Sequence, residues 1–225
     1  MNKRISLSAA SIVPLLAGSC AGDPAVSVPE NARPNIIFIF SDDLGIGDLS
    51  CYGATRVATP HIDRLAAQGQ RFTNAYATSA TSTPSRFGLL TGMYPWRLPN
   101  TQIAPGNSEL IIDPECHTLA DAMHDAGYVT GAVGKWHLGL GPVGGTDFNV
   151  EIRPDARDIG FDYEYLIPAT VDRVPCVFVE NGRVVGLDPS DPITVNYDHK
   201  VGDWPTGSEL SLIHISEPTR LGMIS

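Results

Sequence analysis

The sequence predicts an α/β sandwich with a mostly parallel central sheet. A continuous apolar and β-branched run, Asn35–Phe40, is typical of a central strand buried on both faces. A helical pattern, a candidate site segment, another helical pattern and a second apolar segment follow it, in the order strand, helix, site, helix, strand. The 225 residues are 43% hydrophobic and 18% charged, which suits one globular domain or a fragment of a larger one.

The charge balance argues against two kinds of binding partner. With 15 basic and 25 acidic residues the net charge is −10, which argues against nucleic acid or an anionic membrane surface as the main partner.

Beyond the leader, the cysteines are Cys51, Cys116 and Cys176. These three cannot all pair, although one disulfide is permitted, and no cysteine–histidine cluster indicates zinc.

The first 20 residues have the pattern of an export signal. A positive start, "MNKR", precedes an apolar stretch and a small residue before Cys20, as in a bacterial lipoprotein signal. Ordinary cleavage after Ala21 is the alternative. In both cases we expect an exported bacterial protein, in the periplasm or on the outer membrane, that contacts membrane only through a lipid anchor. Residues 21–33 are predicted to form a flexible tether.

Two carboxylates follow the first predicted strand. Asp42 and Asp43 occupy the carboxyl end of that strand, where open α/β sheets bind ligands. Adjacent like charges repel unless a cation lies between them, and oxygen ligands favour calcium or magnesium. A solvated turn is the alternative interpretation.

The next segments read as a helix and a loop. In "TPHIDRLAAQGQRF", Thr59 is the predicted N-cap, Pro60 the first helical residue and Gly69 the exit. Residues 75–80 are predicted to be a loop that leads to Ser82.

The stretch "TSATSTPSRFGLLTG" predicts a second helix, with Thr83 as N-cap and Pro84 at the first helical position. Gly92 ends this helix. Ser82 would then lie just outside a helix N-terminus, where backbone N–H groups favour an anion. A capped helix with a serine-rich start is the alternative. The predicted buried face consists of Phe87, Leu89 and Leu90.

A third helix and a strand precede two further candidate residues. The helix is capped near Thr118 and ended by Gly127, and the strand covers Tyr128–Val133. Lys135 and His137 follow the strand. In extended chain, this alternation places both side chains on the same side, so both can face one site.

These motifs together resemble the sulfatases of the alkaline phosphatase superfamily. The resemblance covers Pro34 to Pro168 and implies an alkaline-phosphatase-like α/β/α sandwich, here truncated. It is carried by Asp42–Asp43, "STPSRFGLLTG" (Ser82–Gly92), "GYVTGAVGKWHLG" (Gly127–Gly139) and, more weakly, "GFDYEYLIP" (Gly160–Pro168).

The resemblance implies roles for four side chains. Ser82 would be oxidised to formylglycine, whose hydrate has one hydroxyl that attacks sulfur and another that later expels sulfate. Arg86 would hold this diol, while Lys135 and His137 bind sulfate oxygens and one of them assists the leaving group. A serine at this position implies maturation by an oxygen-independent radical maturase.

The resemblance also implies a metal cofactor, Ca²⁺ in preference to Mg²⁺. Asp42, Asp43 and the modified Ser82 would supply part of its ligand set. The remaining ligands of relatives come from later sequence, and nothing suitable follows here. We therefore expect residues 34–209 to be the N-terminal part of a catalytic domain that is inactive by itself. Residues 210–225 read as a translated sequencing adapter.

The segment after Pro168 departs from the family pattern. Many relatives have a substrate-site histidine there, whereas this chain offers Asp172 and Arg173 as alternative contacts. The "FVENGRVVG" stretch that follows predicts a surface hairpin with Asn181–Gly182 at its tip.

The predicted function is hydrolysis of a sulfate ester on a sulfated small molecule or glycan. A phosphoesterase or phosphonate hydrolase of the same superfamily is the first alternative, although Arg86 and the Lys135–His137 pair favour sulfate. A non-catalytic sulfate-binding fragment is the second alternative.

Overall fold

The computed structural model describes residues 33–197 and 199–203. It divides into two units, Met1–Asp43 and Leu44–Ser225, which are described separately. The predicted signal segment, most of the tether and the adapter-like residues 210–225 lie outside the described part, so those predictions remain open. Within the described part, no helix is both long and apolar enough to cross a bilayer.

In the first unit, the run Asn35–Phe40 does not form the buried strand that its sequence predicts. It has no assigned strand, and its apolar side chains are exposed, Ile37 to 84% and Ile39 to 78%. A strand needs a partner with which it forms a ladder of hydrogen bonds, so apolar and β-branched composition alone does not make one.

The described part of the second unit contains three α-helices, one of which carries Ser82 and Arg86. Their bounds are α1 Pro60–Gln68, α2 Ser82–Thr91 and α3 Leu119–Asp125. Helix α1 has Thr59 at its N-cap position and Gly69 after its last residue, as predicted. Helix α3 begins at a capping box in which the Thr118 hydroxyl accepts from two backbone N–H groups. Short 3₁₀ helices cover Ile46–Asp48, Ser50–Tyr52, Pro95–Arg97 and Ala156–Ile159.

The described strands form a mixed four-stranded sheet in the order β1-β2-β3-β4. Strands β1 and β2 are parallel, and the pairs β2–β3 and β3–β4 are antiparallel. The ladder between β1 and β2 runs from Gly131 opposite Tyr163 to Lys135 opposite Ile167. The bounds are β1 Gly131–Lys135, β2 Tyr163–Ile167, β3 Val179–Glu180 and β4 Arg183–Val184.

Strand β1 begins three residues later than predicted and ends at Lys135. The predicted hairpin is confirmed, with Asn181 and Gly182 at positive φ between β3 and β4. Its tip is not at the surface as predicted. Gly182 is buried, and a Cβ there would lie 2.5 Å from Arg157 Nη2.

The hairpin tip packs against a cluster of charged side chains, formed by Glu164 of β2 with Asp155 and Arg157. Glu164 is fully buried and accepts hydrogen bonds from the Ala156 N–H (3.0 Å) and the Gly182 N–H (2.8 Å). Asp155, also fully buried, pairs with Arg157 at 2.6 Å. Burial and the Asp155 charge raise the pKa of Glu164 to about 7.

The hydrophobic core connects α2 with the segment after β1 and with β2 and β3. Helix α2 contributes Phe87, which is 1% exposed. This core fixes the start of α2 against the end of β1, where the candidate residues lie. Its buried members are Phe87, Ile112, Trp136, Leu138, Leu140, Phe148, Ile152, Ala156, Ile159, Leu166 and Val179.

Candidate active site

Ser82 and Arg86 lie one helical turn apart on the first half of α2. The Arg86 Nε donates to the Ser82 hydroxyl oxygen at 3.1 Å, as side chains four residues apart on a helix can. Arg86 Nη1 donates to the Lys135 carbonyl oxygen at 2.8 Å. The guanidinium therefore joins the start of α2 to the end of β1.

The start of α2 differs from the prediction. The helix begins at Ser82, so this residue lies in the first turn and not before it, and Thr81 takes the N-cap position. Thr83, the predicted cap, is buried and has tertiary partners instead. Its hydroxyl donates to the His137 carbonyl oxygen (2.9 Å) and accepts from the Ala104 N–H (3.1 Å). Ser82 still lies among the N–H groups of a helix start.

His137 follows β1 and is 2% exposed. Its backbone N–H donates to the Pro168 carbonyl oxygen at 2.9 Å, which extends the β1–β2 ladder beyond the last strand residue. Its φ is +56°, so the chain is not extended here, and the predicted strand alternation with Lys135 does not hold. The side chain is instead buried, with Ala104 and Arg173 in contact with its ring.

The two ring nitrogens of His137 differ in their hydrogen bonding. Nε2 lies 2.9 Å from the Ala104 carbonyl oxygen and 3.3 Å from Arg173 Nη1. Nδ1 is buried and has no hydrogen-bond partner within the described part of the chain. When Nε2 donates to Ala104, Nδ1 offers a buried lone pair to a donor.

Burial and three nearby cations keep His137 neutral. Loss of solvent lowers its pKa most, and the Arg173, Lys135 and Arg86 charges lower it further, to about 4, against the hydrogen bond to Ala104. At neutral pH the ring is therefore an uncharged hydrogen-bonding group among cations.

Arg173 belongs to this cluster. The sequence indicates Arg173 only as an alternative contact, because nothing in the loop "ATVDRVP" shows where its side chain lies. In the structure, Arg173 is half-buried and its Nη1 donates to the Ala104 carbonyl oxygen at 3.0 Å. Arg86, Lys135 and Arg173 make a local positive region in a chain of net charge −10, which suits an anionic ligand.

The "GKWHLG" segment is held by a close backbone approach. Trp136 Nε1 donates to the Gly139 carbonyl oxygen at 2.7 Å. Gly139 has φ +71°, and a Cβ there would lie 1.7 Å from the Glu109 carbonyl oxygen. Only glycine fits this position, which explains why the motif ends in glycine.

The predicted metal ligands Asp42 and Asp43 end the first unit, and both are exposed. Among the described residues, no group of three or more histidine, cysteine, aspartate or glutamate side chains is placed to hold a metal. Calcium takes about six to eight oxygen ligands. Two carboxylates do not complete such a set, so no chemical step is assigned to a metal here. Cys51, Cys116 and Cys176 are all free thiols.

Comparison with known proteins shows which family and which proteins this chain resembles. The family model described as Sulfatase matches residues 34–165. An N-acetylgalactosamine-6-O-sulfatase of Bacteroides thetaiotaomicron is 81% identical over 177 residues, which are 79% of this chain and 35% of that protein.

Solved structures agree in fold. A sulfatase structure from work on the metabolism of multiple glycosaminoglycans by Bacteroides thetaiotaomicron has a TM-score of 0.76 and 81% identity, over 79% of this chain and 37% of that one. Ps i-CgsB, crystallised with a neocarrahexaose, has a TM-score of 0.53 and 26% identity, over 64% and 35% of the two chains.

This chain spans about a third of the length of its most similar relatives. The family match nevertheless covers more than half of the chain and includes α1, α2, α3, β1 and most of β2. It also includes the serine–arginine pair and the lysine–histidine pair described above. The chain belongs to the sulfatase family.

Proposed function

We propose that the protein containing this chain hydrolyses the sulfate ester of a sulfated glycan. The 81% identical relative acts, by its name, on 6-O-sulfated N-acetylgalactosamine, and a more distant relative was crystallised with a carrageenan-type oligosaccharide. We propose an N-acetylgalactosamine 6-sulfate unit as the substrate group.

The observation that carries this proposal is the bond from Arg86 to the Ser82 hydroxyl, within the cationic region around His137. Ser82 is the proposed nucleophile position. Arg86 orients its oxygen and offsets negative charge that develops on the transferred group. Because Arg86 also binds the Lys135 carbonyl, it sets the spacing between nucleophile and sulfate-binding groups.

Lys135 and His137 have different proposed roles. The ammonium of Lys135 binds sulfate oxygens and supplies the proton to the leaving oxygen. His137 is neutral at neutral pH, so we assign its unprotonated Nδ1 the role of accepting a hydrogen bond from a donor, and not charge stabilisation or contact with a sulfate oxygen. Arg173 keeps the ring in place through their shared contact with Ala104.

Two further components of the proposal come from family resemblance. Ser82 is proposed to be matured to formylglycine by a radical maturase, which supplies a hydrated aldehyde as nucleophile. Ca²⁺ is the proposed cofactor, with Asp42, Asp43 and the matured residue as partial ligands. We also propose export through the first 20 residues, with a lipid on Cys20. Because the chain spans about a third of these relatives' length, we propose that the 225 residues alone are inactive.

The test is hydrolysis by the full-length protein, expressed anaerobically with a radical maturase. An aryl sulfate and N-acetylgalactosamine 6-sulfate should be turned over, and the matched aryl phosphate should react far more slowly. Arg86→Lys keeps the positive charge but lacks the planar fork, and we expect it to retain only a small part of the activity. Faster turnover of the phosphate would favour the phosphoesterase alternative. No turnover of any ester would overturn the proposal.

A further inference from the structure

A cavity opens beside the start of α2, separate from the Arg86–His137 contacts. Its volume is about 460 Å³, within the range of about 300–1000 Å³ that small-ligand pockets occupy. Thr81 and Pro84, on either side of Ser82 and Thr83, line one side of it. Its other walls come from Thr78–Ser79, Pro95–Trp96 and Thr101–Ile103.

The wall formed by residues 101–103 continues directly into the candidate active site. The next residue, Ala104, donates its N–H to the Thr83 hydroxyl at 3.1 Å. Its carbonyl oxygen contacts His137 Nε2 (2.9 Å) and Arg173 Nη1 (3.0 Å). Because Thr81 lines the cavity and Ser82 follows it in the chain, a molecule bound at Ser82 has the cavity as a neighbour.

Trp96 is the largest apolar surface of this cavity. It is 70% exposed, and its ring stacks on Tyr94 with centroids 4.1 Å apart and planes 18° apart. The loop beneath it is closed by the buried Thr101 hydroxyl, which donates to the Pro95 carbonyl oxygen at 2.6 Å. The stacking on Tyr94 and the hydrogen bond in the loop therefore hold the Trp96 ring in place, with one aromatic face exposed.

The composition of the walls fits a sugar ring. The face of a pyranose carries C–H groups that gain from contact with an indole ring, since this removes apolar surface from water. The ring edge carries hydroxyls, and the cavity offers hydroxyl and amide partners on Ser79, Thr81 and Gln102. None of the lining residues is charged, so the cavity itself is not a second sulfate site.

We infer that Trp96 stacks on the sugar next to the one that carries the sulfate ester, and so makes the enzyme prefer an oligosaccharide to a monosaccharide. This inference rests on the proposed function, because it takes the occupant of the neighbouring site to be a sulfated glycan. It assigns Trp96 a role in substrate binding and none in the chemical step.

The test compares two substrates on the full-length matured protein. One is N-acetylgalactosamine 6-sulfate, and the other is a chondroitin-type tetrasaccharide with the same sulfated unit. Trp96→Ala should raise KM for the tetrasaccharide about tenfold, the scale of losing one aromatic anchor, and leave monosaccharide kinetics within about twofold. Trp96→Phe keeps an aromatic face and should recover most of the loss.

Phe178→Ala is the matched control. Phe178 is 47% exposed and stacks on Tyr165 with centroids 5.2 Å apart, but it does not line the cavity. This variant should leave the ratio of the two kcat/KM values unchanged. An equal loss on both substrates in Trp96→Ala, or no loss on either, would overturn the inference.

A binding measurement tests the sugar site independently of sulfate ester hydrolysis. Calorimetric titration with the unsulfated tetrasaccharide should give heat with wild-type protein and with Phe178→Ala, and at least tenfold weaker binding with Trp96→Ala. If no ester is hydrolysed but this pattern holds, the proposed function fails and the sugar site stands. Equal binding by wild type and Trp96→Ala would contradict the sugar site whatever the activity.

Discussion

Replacing Glu164 by glutamine should change how the stability of the protein depends on pH. Glu164 is fully buried behind the sheet, where its two oxygens accept the N–H groups of Ala156 and Gly182. Burial, and then the charge of Asp155, raise its pKa from 4.5 to about 7. Glutamine keeps the size and shape of the side chain but does not titrate.

The sign follows from proton uptake. Between pH 4.5 and about 7 the unfolded chain has released the Glu164 proton and the folded chain has kept it. The favourable contribution of this group is therefore complete below pH 4.5 and is lost as pH rises to about 7. A difference of about 2.5 pKa units corresponds to at most about 3 kcal/mol.

The assay is urea unfolding of the full-length protein at several pH values from 4.5 to 8. The unfolding free energy of Glu164→Gln, minus that of wild type, should rise by up to about 3 kcal/mol across this range. Leu166→Val, on the same strand and 1% exposed, is the control, because it removes a buried methylene without a charge. Its difference from wild type should be constant with pH. A constant difference for Glu164→Gln as well would refute the argument.

Four other substitutions have defined outcomes. Arg86→Ala should lower kcat of the matured enzyme by about 10²-fold or more, as steady-state assays with an aryl sulfate would show. Asp43→Asn should raise the Ca²⁺ concentration needed for half-maximal activity, and an unchanged titration would remove Asp43 from the metal site. Gly182→Ala would place a Cβ 2.8 Å from Asp155 Oδ2 and strain a residue at φ +76°, so thermal unfolding should show a loss of about 2 kcal/mol or more. Thr118→Ala removes the cap of α3 and should cost about 1 to 2 kcal/mol in the same measurement.

Features set by local chemistry were predictable from the sequence. Proline at the first position and a following glycine mark the bounds of α1, and Gly92 has the left-handed φ that ends α2. Asn181–Gly182 forms the two-residue turn expected between short strands. In each case the deciding interactions lie within a few residues of one another.

Features set by tertiary contacts were not predictable. Thr83 is a residue type favoured at an N-cap, but its hydroxyl bonds to His137 and Ala104, more than 20 residues away. The helix begins at Ser82, two residues earlier than predicted. Asn35–Phe40 has strand composition, yet nothing in its own residues determines a pairing partner.

The candidate site also has some features that the sequence predicts and others that it does not. The motifs predict that Ser82, Arg86, Lys135 and His137 are members of one site, and the hydrogen bonds of Arg86 and Thr83 bring their segments together. The left-handed backbone of His137 was not predictable, because no glycine or asparagine marks it. A lone arginine in an irregular loop, such as Arg173, gives no sequence signal for its partners.

The central claim is that Ser82 becomes the nucleophile of a sulfatase. The most direct measurement is mass spectrometry of the peptide that contains Ser82, from full-length protein matured anaerobically and assayed in the same preparation on N-acetylgalactosamine 6-sulfate. We expect a peptide that has lost two hydrogens, or its hydrate, in an amount proportional to activity, and no activity in Ser82→Ala. Full activity with an unmodified serine, or in Ser82→Ala, would contradict it.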